Sequence, residues 1–299
     1  MGAWLTICIP TYNRAGFLSD LLTEIGRQLR AGGWAPEDIA IAVSDNGSPD
    51  ATPDVLQRAR DSGLPISWQR QSRNLGINPN LCAACEMAKG RYGWLLGDDE
   101  LLDPHALQRV WNATREGEPG MVILYDTRFP SRPPQSMDFP TYRDFAAECA
   151  RTAPERLTEQ TLLSSNVFRT DCYDAGFARA SLDTDFPHMF GLVRGVHRCG
   201  APVRVLAEPV ITTRGEDRPP PPDGQWVPID RKWIAYMAWL REELGLPELD
   251  PYAPTRAARR ALVTHMLTHP IAFARRYGRS ALNPSAWRFL FDRLFLRPH

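Results

Sequence analysis

The sequence predicts an α/β fold: a mainly parallel central sheet with helices on both faces, followed by a helical C-terminal extension. Three observations predict it. Short apolar runs alternate with stretches of helical periodicity four times within the first 125 residues, the pattern of strand–helix–strand crossovers. The run Ile39-Ala40-Ile41-Ala42-Val43 is apolar throughout, as a strand covered on both faces must be. Trp94-Leu95-Leu96 leads directly into Asp98, Asp99 and Glu100, so charge gathers at a strand end, where open α/β sheets hold their ligands.

Each element has a local reason. Residues 4–9 (WLTICI) form a strand that Pro10 is expected to stop. Phe17, Leu18, Leu21, Leu22, Ile25 and Leu29 then recur at helical spacing until Gly32-Gly33. The second strand runs into the turn Ser44-Asp45-Asn46-Gly47-Ser48, and Thr52-Pro53 offers an N-cap and a first-turn proline for a helix ending at Gly63. Residues 66–69 form a third strand, the turn Arg73-Asn74-Leu75-Gly76 follows, and an Ala-rich helix spans about 80–89. After the acidic stretch come a helix over about 104–114 and a strand over 121–125. Pro130, Pro133, Pro134 and Pro140 then mark a long loop. Further on, a strand is expected over 163–169, a helix entered through Asp183 with Pro187 near its start, and one or two strands over 203–213. The polar, proline-rich stretch 213–228 divides a domain over 1–215 from a helical region over 229–299.

Composition narrows the function classes. With 299 residues, 43% hydrophobic and 23% charged, the chain has enough apolar surface for a real core. Zero net charge gives no push toward nucleic acid. The charge is unevenly placed: nine Arg and one Asp give residues 255–299 a balance of +8, leaving −8 on the rest. Six scattered cysteines, of which only Cys82 and Cys85 are closely spaced, read as free thiols in a reducing, cytoplasmic compartment, the close pair facing a helical core. No run approaches the roughly 20 residues of a membrane span. Neither a dinucleotide fingerprint after the first strand nor a P-loop is present.

The acidic stretch carries the chemistry. Three adjacent carboxylates repel one another unless a cation or proton relieves them. Hard divalent ions such as Mn²⁺ or Mg²⁺, sharing phosphate oxygens as ligands, suit that arrangement. Taken alone, Asp98, Asp99 and Glu100 read better as a solvated turn before a helix capped by Asp103 with Pro104 at its first position.

Three separated motifs favour the first reading. Ile7-Cys8-Ile9-Pro10-Thr11-Tyr12-Asn13-Arg14, then Val43-Ser44-Asp45-Asn46-Gly47-Ser48-Pro49-Asp50-Ala51-Thr52, then Asn74-Leu75-Gly76 through Gly90 to Tyr92 and Gly93-Trp94-Leu95-Leu96-Gly97-Asp98-Asp99-Glu100 stand in fixed order. In order and spacing the chain resembles the family 2 glycosyltransferases of the GT-A fold, which move a sugar from a nucleotide diphosphate to an acceptor. The match is dense over residues 4–115, thinner to 215 and absent beyond.

The resemblance implies roles. Asp45 would accept from a base N–H, with Pro10, Thr11 and Tyr12 lining the same crevice and Arg14 and Arg73 reaching base or phosphate. Asp98 and Glu100 would meet Mn²⁺ or Mg²⁺, and Asp99 the ribose or the ion; Glu100 stands where the family more often has Asp. An inverting transfer also needs a base for the acceptor hydroxyl. The Glu-Asp pair usual in the family is missing; Asp185 is the first candidate, Asp183 the reserve, and His188 a third that also reads as a metal ligand or a partly buried histidine. Arg214 or Arg218 would close over the diphosphate. The implied partners are a nucleotide-diphosphate sugar and a glycan, lipid-linked or small-molecule acceptor.

The tail has two readings. Arg256, Arg259, Arg260, Arg275, Arg276 and Arg279, with Trp287, Phe289, Leu290, Phe291, Leu294 and Phe295, suit peripheral contact with the anionic inner face of a membrane. The same residues suit packing on the main domain or in a homo-oligomer. Two other functions compete with glycosyl transfer. A sugar-nucleotide nucleotidyltransferase would favour a Gly-rich loop where this chain has Pro10-Thr11-Tyr12-Asn13-Arg14, and an inactive relative would bind nucleotide sugar without turnover.

Overall fold

The protein is described by a computed structural model covering residues 3–35, 37–126, 131–213 and 227–253. The expectations for Arg214, Arg218 and the basic aromatic tail lie outside these residues. The first half runs β1 (Leu5–Thr11), α1 (Ala15–Gly32), β2 (Ile39–Asp45), α2 (Thr52–Asp61), β3 (Ile66–Arg70), α3 (Ile77–Glu86), β4 (Tyr92–Leu95), β5 (Glu100–Leu102), α4 (Ala106–Arg115) and β6 (Met121–Asp126). The second half runs β7 (Met137–Phe139), α5 (Tyr142–Thr152), α6 (Arg156–Glu159), a 3₁₀ turn (Leu163–Ser165), β8 (Asn166–Arg169), α7 (Ala175–Ala180), α8 (Pro187–Cys199), β9 (Val203–Thr213) and α9 (Val227–Glu243).

The strands form one sheet in the order β3-β2-β1-β4-β8-β6-β9-β5, with β7 also on β9. The stretch β3-β2-β1-β4 is parallel throughout. β8 then enters antiparallel between β4 and β6, while β6 and β9 are parallel. Strand order reverses between β1 and β4, which opens a crevice at their carboxyl ends.

Side-chain alternation gives each strand two apolar faces. Leu5, Ile7 and Ile9 join α1, α2 and α4 in one core, while Cys8 points the other way among α3, α5, α8 and α9. On β6 the division is Val122 and Leu124 against Met121, Ile123 and Tyr125. This two-sided burial is why the strands read as unbroken apolar runs. Cys82 and Cys85 are buried free thiols on α3, as the sequence suggested.

Several expectations need correction. Pro10 does not stop β1, which continues to Thr11. The Trp4 and Cys8 carbonyls accept from Tyr92 and Leu96, so even-numbered residues face β4; Pro10 comes after the last β1–β4 pair, Cys8 with Leu95. Its missing N–H is therefore on a side with no strand to receive it. Glu100 is not in a free turn but opens β5, opposite Thr213. Residues 163–165 form a 3₁₀ turn before β8 rather than part of a strand. Ala51, not Thr52, is the cap residue of α2, and His105 rather than Asp103 precedes α4. Asp50 does the work at α2, accepting from the Thr52 amide at 3.1 Å, and at α1, accepting from the Ala15 amide at 2.9 Å.

The C-terminal half of the core is closed by α9. Tyr236, Met237 and Leu240 are buried with Phe190, Leu192 and Val193 of α8, and Phe190 and Trp239 rings lie 4.3 Å apart. α8 is itself pressed against the 172–174 backbone: a Cβ on Gly195 would sit 1.8 Å from the Cys172 carbonyl oxygen. Gly195→Ala is therefore expected to lower unfolding stability by about 3 kcal/mol, because backbone on both sides must give. Urea unfolding of the full chain checks this.

Candidate active site

The crevice at the β1–β4 switch is a cleft of about 790 Å³. Its walls come from the loop after β1 (Pro10, Thr11, Tyr12, Arg14), the loop after β4 (Gly97, Asp98, Asp99, Glu100), the start of α3, residues 161–163, and the approach to α8 (Asp185, Phe186, His188). A smaller pocket of about 340 Å³ between α1 and α2 presents Arg30 and Arg58 and has no carboxylate.

Local geometry explains the first motif. Asn13 takes the left-handed conformation, φ 55°, which Asn tolerates better than most residues, and its amide donates to the Ser48 hydroxyl at 3.0 Å. That turn aims Arg14 across the cleft. Its Nη1 donates to Asp98 Oδ1 at 3.0 Å and to Asp99 Oδ2 at 3.1 Å, while the Thr11 hydroxyl donates to Asp98 Oδ2 at 2.7 Å. Burial raises the Asp98 pKa, and the Thr11 and Arg14 contacts offset only part of the shift. Burial also works against the Arg14 charge, but Asp98 and Asp99 outweigh it and hold the guanidinium protonated.

Glu100 is held by a residue the sequence reading missed. The Ser164 hydroxyl donates to Glu100 Oε1 at 2.8 Å and accepts from the Gly97 amide at 3.0 Å, while Trp94 Nε1 donates to the Ser164 carbonyl at 3.0 Å. The buried tryptophan of β4 thus locks the 163–165 turn against the acidic loop. Nothing in the local sequence singles out Ser164, because its role depends on β8 inserting beside β4.

Two asparagines were also missed. Asn80 donates to the Ser44 carbonyl at 3.2 Å and accepts from the Ser44 hydroxyl at 2.7 Å, joining α3 to the end of β2. Asn46 donates to Asn74 Oδ1 and the Gly76 carbonyl and accepts from the Leu75 amide, which fixes the 74–76 turn at the cleft rim. A buried polar residue among apolar helix neighbours was the available signal for Asn80.

The remaining candidates divide. Asp45 is fully buried at the end of β2 and is not part of the cleft wall; its Oδ1 accepts from the Ser48 amide at 2.9 Å and its Oδ2 lies 3.4 Å from Arg70 Nε. Arg73 is also outside the wall, its backbone packed 2.9 Å from where a Cβ on Gly47 would be. Asp183 does not line the cleft, whereas Asp185 does and is ion-paired with Lys232 of α9. Lys232 is one of two lysines in the chain, and its role depends on α9 folding back toward α8, which no local motif announces.

His188 lines the cleft in the first turn of α8 and is only 2% exposed. Neither ring nitrogen has a hydrogen-bond partner of ordinary geometry. Burial pushes its pKa down to about 4, against a smaller upward pull from the Thr161 backbone, so the imidazole is neutral.

Asp98 and Glu100 are hard oxygen donors of the chemistry a divalent ion takes. Two carboxylates suffice for Mn²⁺ or Mg²⁺ when substrate phosphates and water complete the shell, and among the described residues there is no group of three His, Cys, Asp or Glu side chains able to hold a metal. Arg14 already brings positive charge to Asp98 and Asp99.

A mixed α/β sheet with a carboxylate-bearing cleft at its switch point has the architecture of the GT-A fold. The profile of glycosyl transferase family 2 matches residues 6–170, more than half of the chain, and the protein belongs to that family of glycosyltransferases. Among curated relatives, the abequosyltransferase RfbV of Salmonella typhimurium strain LT2 is 26% identical over 71% of this chain and 67% of its own length. Validoxylamine A glucosyltransferase of Streptomyces hygroscopicus subsp. limoneus is 33% identical over 42% of this chain and 28% of its own. Solved structures share the fold. S. aureus TarS 1-349 in complex with UDP-GlcNAc has a TM-score of 0.55 at 13% identity, covering 98% of this chain and 80% of that one. The mannosyltransferase PcManGT from Pyrobaculum calidifontis, with GDP-Man and Mn²⁺, has a TM-score of 0.54 at 16% identity, covering 98% and 85%. Among the described residues no helix is long and apolar enough to cross a membrane.

The His188 environment has a measurable consequence. Between pH 6.5 and about 4 the unfolded chain takes up a proton that the folded chain refuses, so stability falls as pH drops through that window. Burial lifts Glu159, on α6, in the opposite sense, to about 7, so its contribution is present at low pH and fades as pH rises from 4.5 through 7. Between pH 4.5 and 6.5 the two slopes oppose, so His188→Gln is expected to leave stability falling as pH rises toward 7, and Glu159→Gln to leave it falling as pH drops toward 4. Urea unfolding across pH 4 to 8 reads both.

Proposed function

We propose that this glycosyltransferase acts by a single inverting displacement, assisted by a divalent ion, on a nucleotide-diphosphate sugar. The observation that carries the reading is the buried acidic loop of Asp98, Asp99 and Glu100, held by Thr11, Arg14 and Ser164 in a cleft large enough for a nucleotide sugar. The nucleoside would occupy the side walled by Pro10, Thr11 and Tyr12, beneath which Asp45 fixes the 45–48 turn. With Asp45 fully buried, base contact would pass through that turn or through the Asp45 oxygen facing Arg70. Arg73 stands outside the wall and would contribute from the rim.

Asp98 and Glu100 would hold Mn²⁺ or Mg²⁺, and Asp99 the ribose or the same ion. When bound, the ion supplies positive charge for the leaving diphosphate. Arg14 adds a second cation to the same oxygens by turning from Asp98 and Asp99 toward phosphate. The acceptor would approach from the α8 side, where a base is needed. Relatives of this fold bind UDP-GlcNAc or GDP-Man, so UDP- and GDP-sugars head the donor candidates, with dTDP-sugars beside them. Of the C-terminal region, α9 packs into the main core; membrane or subunit contacts by the remainder, serving a glycan, lipid-linked or small-molecule acceptor, are part of the same proposal.

Thermal unfolding of the full chain with UDP-, GDP- and dTDP-sugars, each with and without Mn²⁺, tests the reading. One donor class is expected to stabilise only when Mn²⁺ is present. Glu100→Ala is expected to remove that Mn²⁺-dependent shift; the wild-type shift surviving in the variant would reject the metal assignment.

A further inference from the structure

Titratable groups on the cleft wall are nearly all committed. Asp98 and Asp99 are paired with Arg14, Glu100 accepts from Ser164, and Asp185 is paired with Lys232. Arg14 is a cation held charged by Asp98 and Asp99. Asp183, two positions before Asp185, is not on the wall. His188 differs from all of these. It is buried on the wall of the cleft, and both ring nitrogens lack a hydrogen bond of ordinary geometry. A buried imidazole left in this state is costly to the fold, and such groups call for an explanation in function.

We propose that His188, rather than Asp185, is the catalytic base that takes the acceptor's hydroxyl proton. The inference rests on the glycosyl-transfer reading given above. The acceptor oxygen forms its bond to the anomeric carbon as the bond from that carbon to the diphosphate oxygen breaks, the electron pair leaving with the diphosphate. The acceptor proton passes to the free ring nitrogen, and the imidazolium then returns it to water. A neutral imidazole is already in the form that can accept. The same cleft wall carries the carboxylates Asp98, Asp99 and Glu100 after β4 and Asp185 before α8, with Arg14 and, paired to Asp185, Lys232 as the opposing cations. Asp185 becomes a positioning residue: its pair with Lys232 ties the approach of α8 to α9, while Trp233 Nε1 donates to the Thr161 hydroxyl at 3.3 Å beside it.

The test uses the full chain and the donor class found by thermal unfolding, with transfer measured by release of nucleoside diphosphate. His188→Ala is expected to lower kcat by about 10² to 10⁴-fold while leaving the donor KM within about twofold. Added imidazole is expected to restore turnover, with substituted imidazoles ranked by their basicity, a response that a merely structural role would not give. His188→Gln, closer in size, guards against misfolding: it is expected to keep the Mn²⁺-dependent stabilisation by UDP or GDP and still lose turnover. Wild-type kcat in His188→Ala, with turnover abolished in Asp185→Asn, overturns the assignment and returns the role to Asp185. A wild-type chain that transfers from no donor overturns the glycosyl-transfer reading itself, and the inference falls with it.

Discussion

Two neighbouring carboxylates at the end of a buried strand cannot stay charged without a cation, and here the cation is covalently part of the chain. Arg14 reaches from the loop after β1 to Asp98 and Asp99 after β4, and Thr11 holds the other oxygen of Asp98. These contacts span the point where strand order reverses, joining the two halves of the cleft. Removing Arg14 would leave like charges together in a poorly solvated site, which is why the turn that aims it is so firmly specified. Asn13 supplies the left-handed residue, and Ser48 anchors it from the next crossover.

A second layer of polar contacts carries this order outward. Asn80 joins α3 to β2, Asn46 shapes the turn ahead of α3, and Asp50 receives amides from the starts of both α1 and α2. Each is a short side chain doing for the backbone what an adjacent strand cannot do where strands have ended. The conspicuous residues of the motifs are thus of two kinds. Some face the cleft, and others, such as Asp45 and Asp50, hold the turns from behind.

The sequence made the first half legible because its information is local. Apolar runs covered on both faces, and helices punctuated by Gly32-Gly33 and Gly63, announce β1 to β4 without knowledge of the fold. The acidic loop was legible through its neighbours in order. What escaped was set by distant pairing. β5 has three residues and exists only because β9 lies beside it, and Ser164 meets Glu100 only because β8 runs antiparallel to β4. Asp185 looked available as a base until Lys232 arrived from α9, 47 positions later. The orphaned state of His188 is likewise a fact of packing, invisible in a string of letters.

Pro10 has an effect beyond ending a seam between strands. It is buried on the cleft wall, just past the last β1–β4 pair. Any other residue there would present a peptide N–H with no strand to receive it, and that donor would hold an ordered water in the crevice. The pyrrolidine ring offers carbon instead. The wall therefore carries one donor fewer for water at that point.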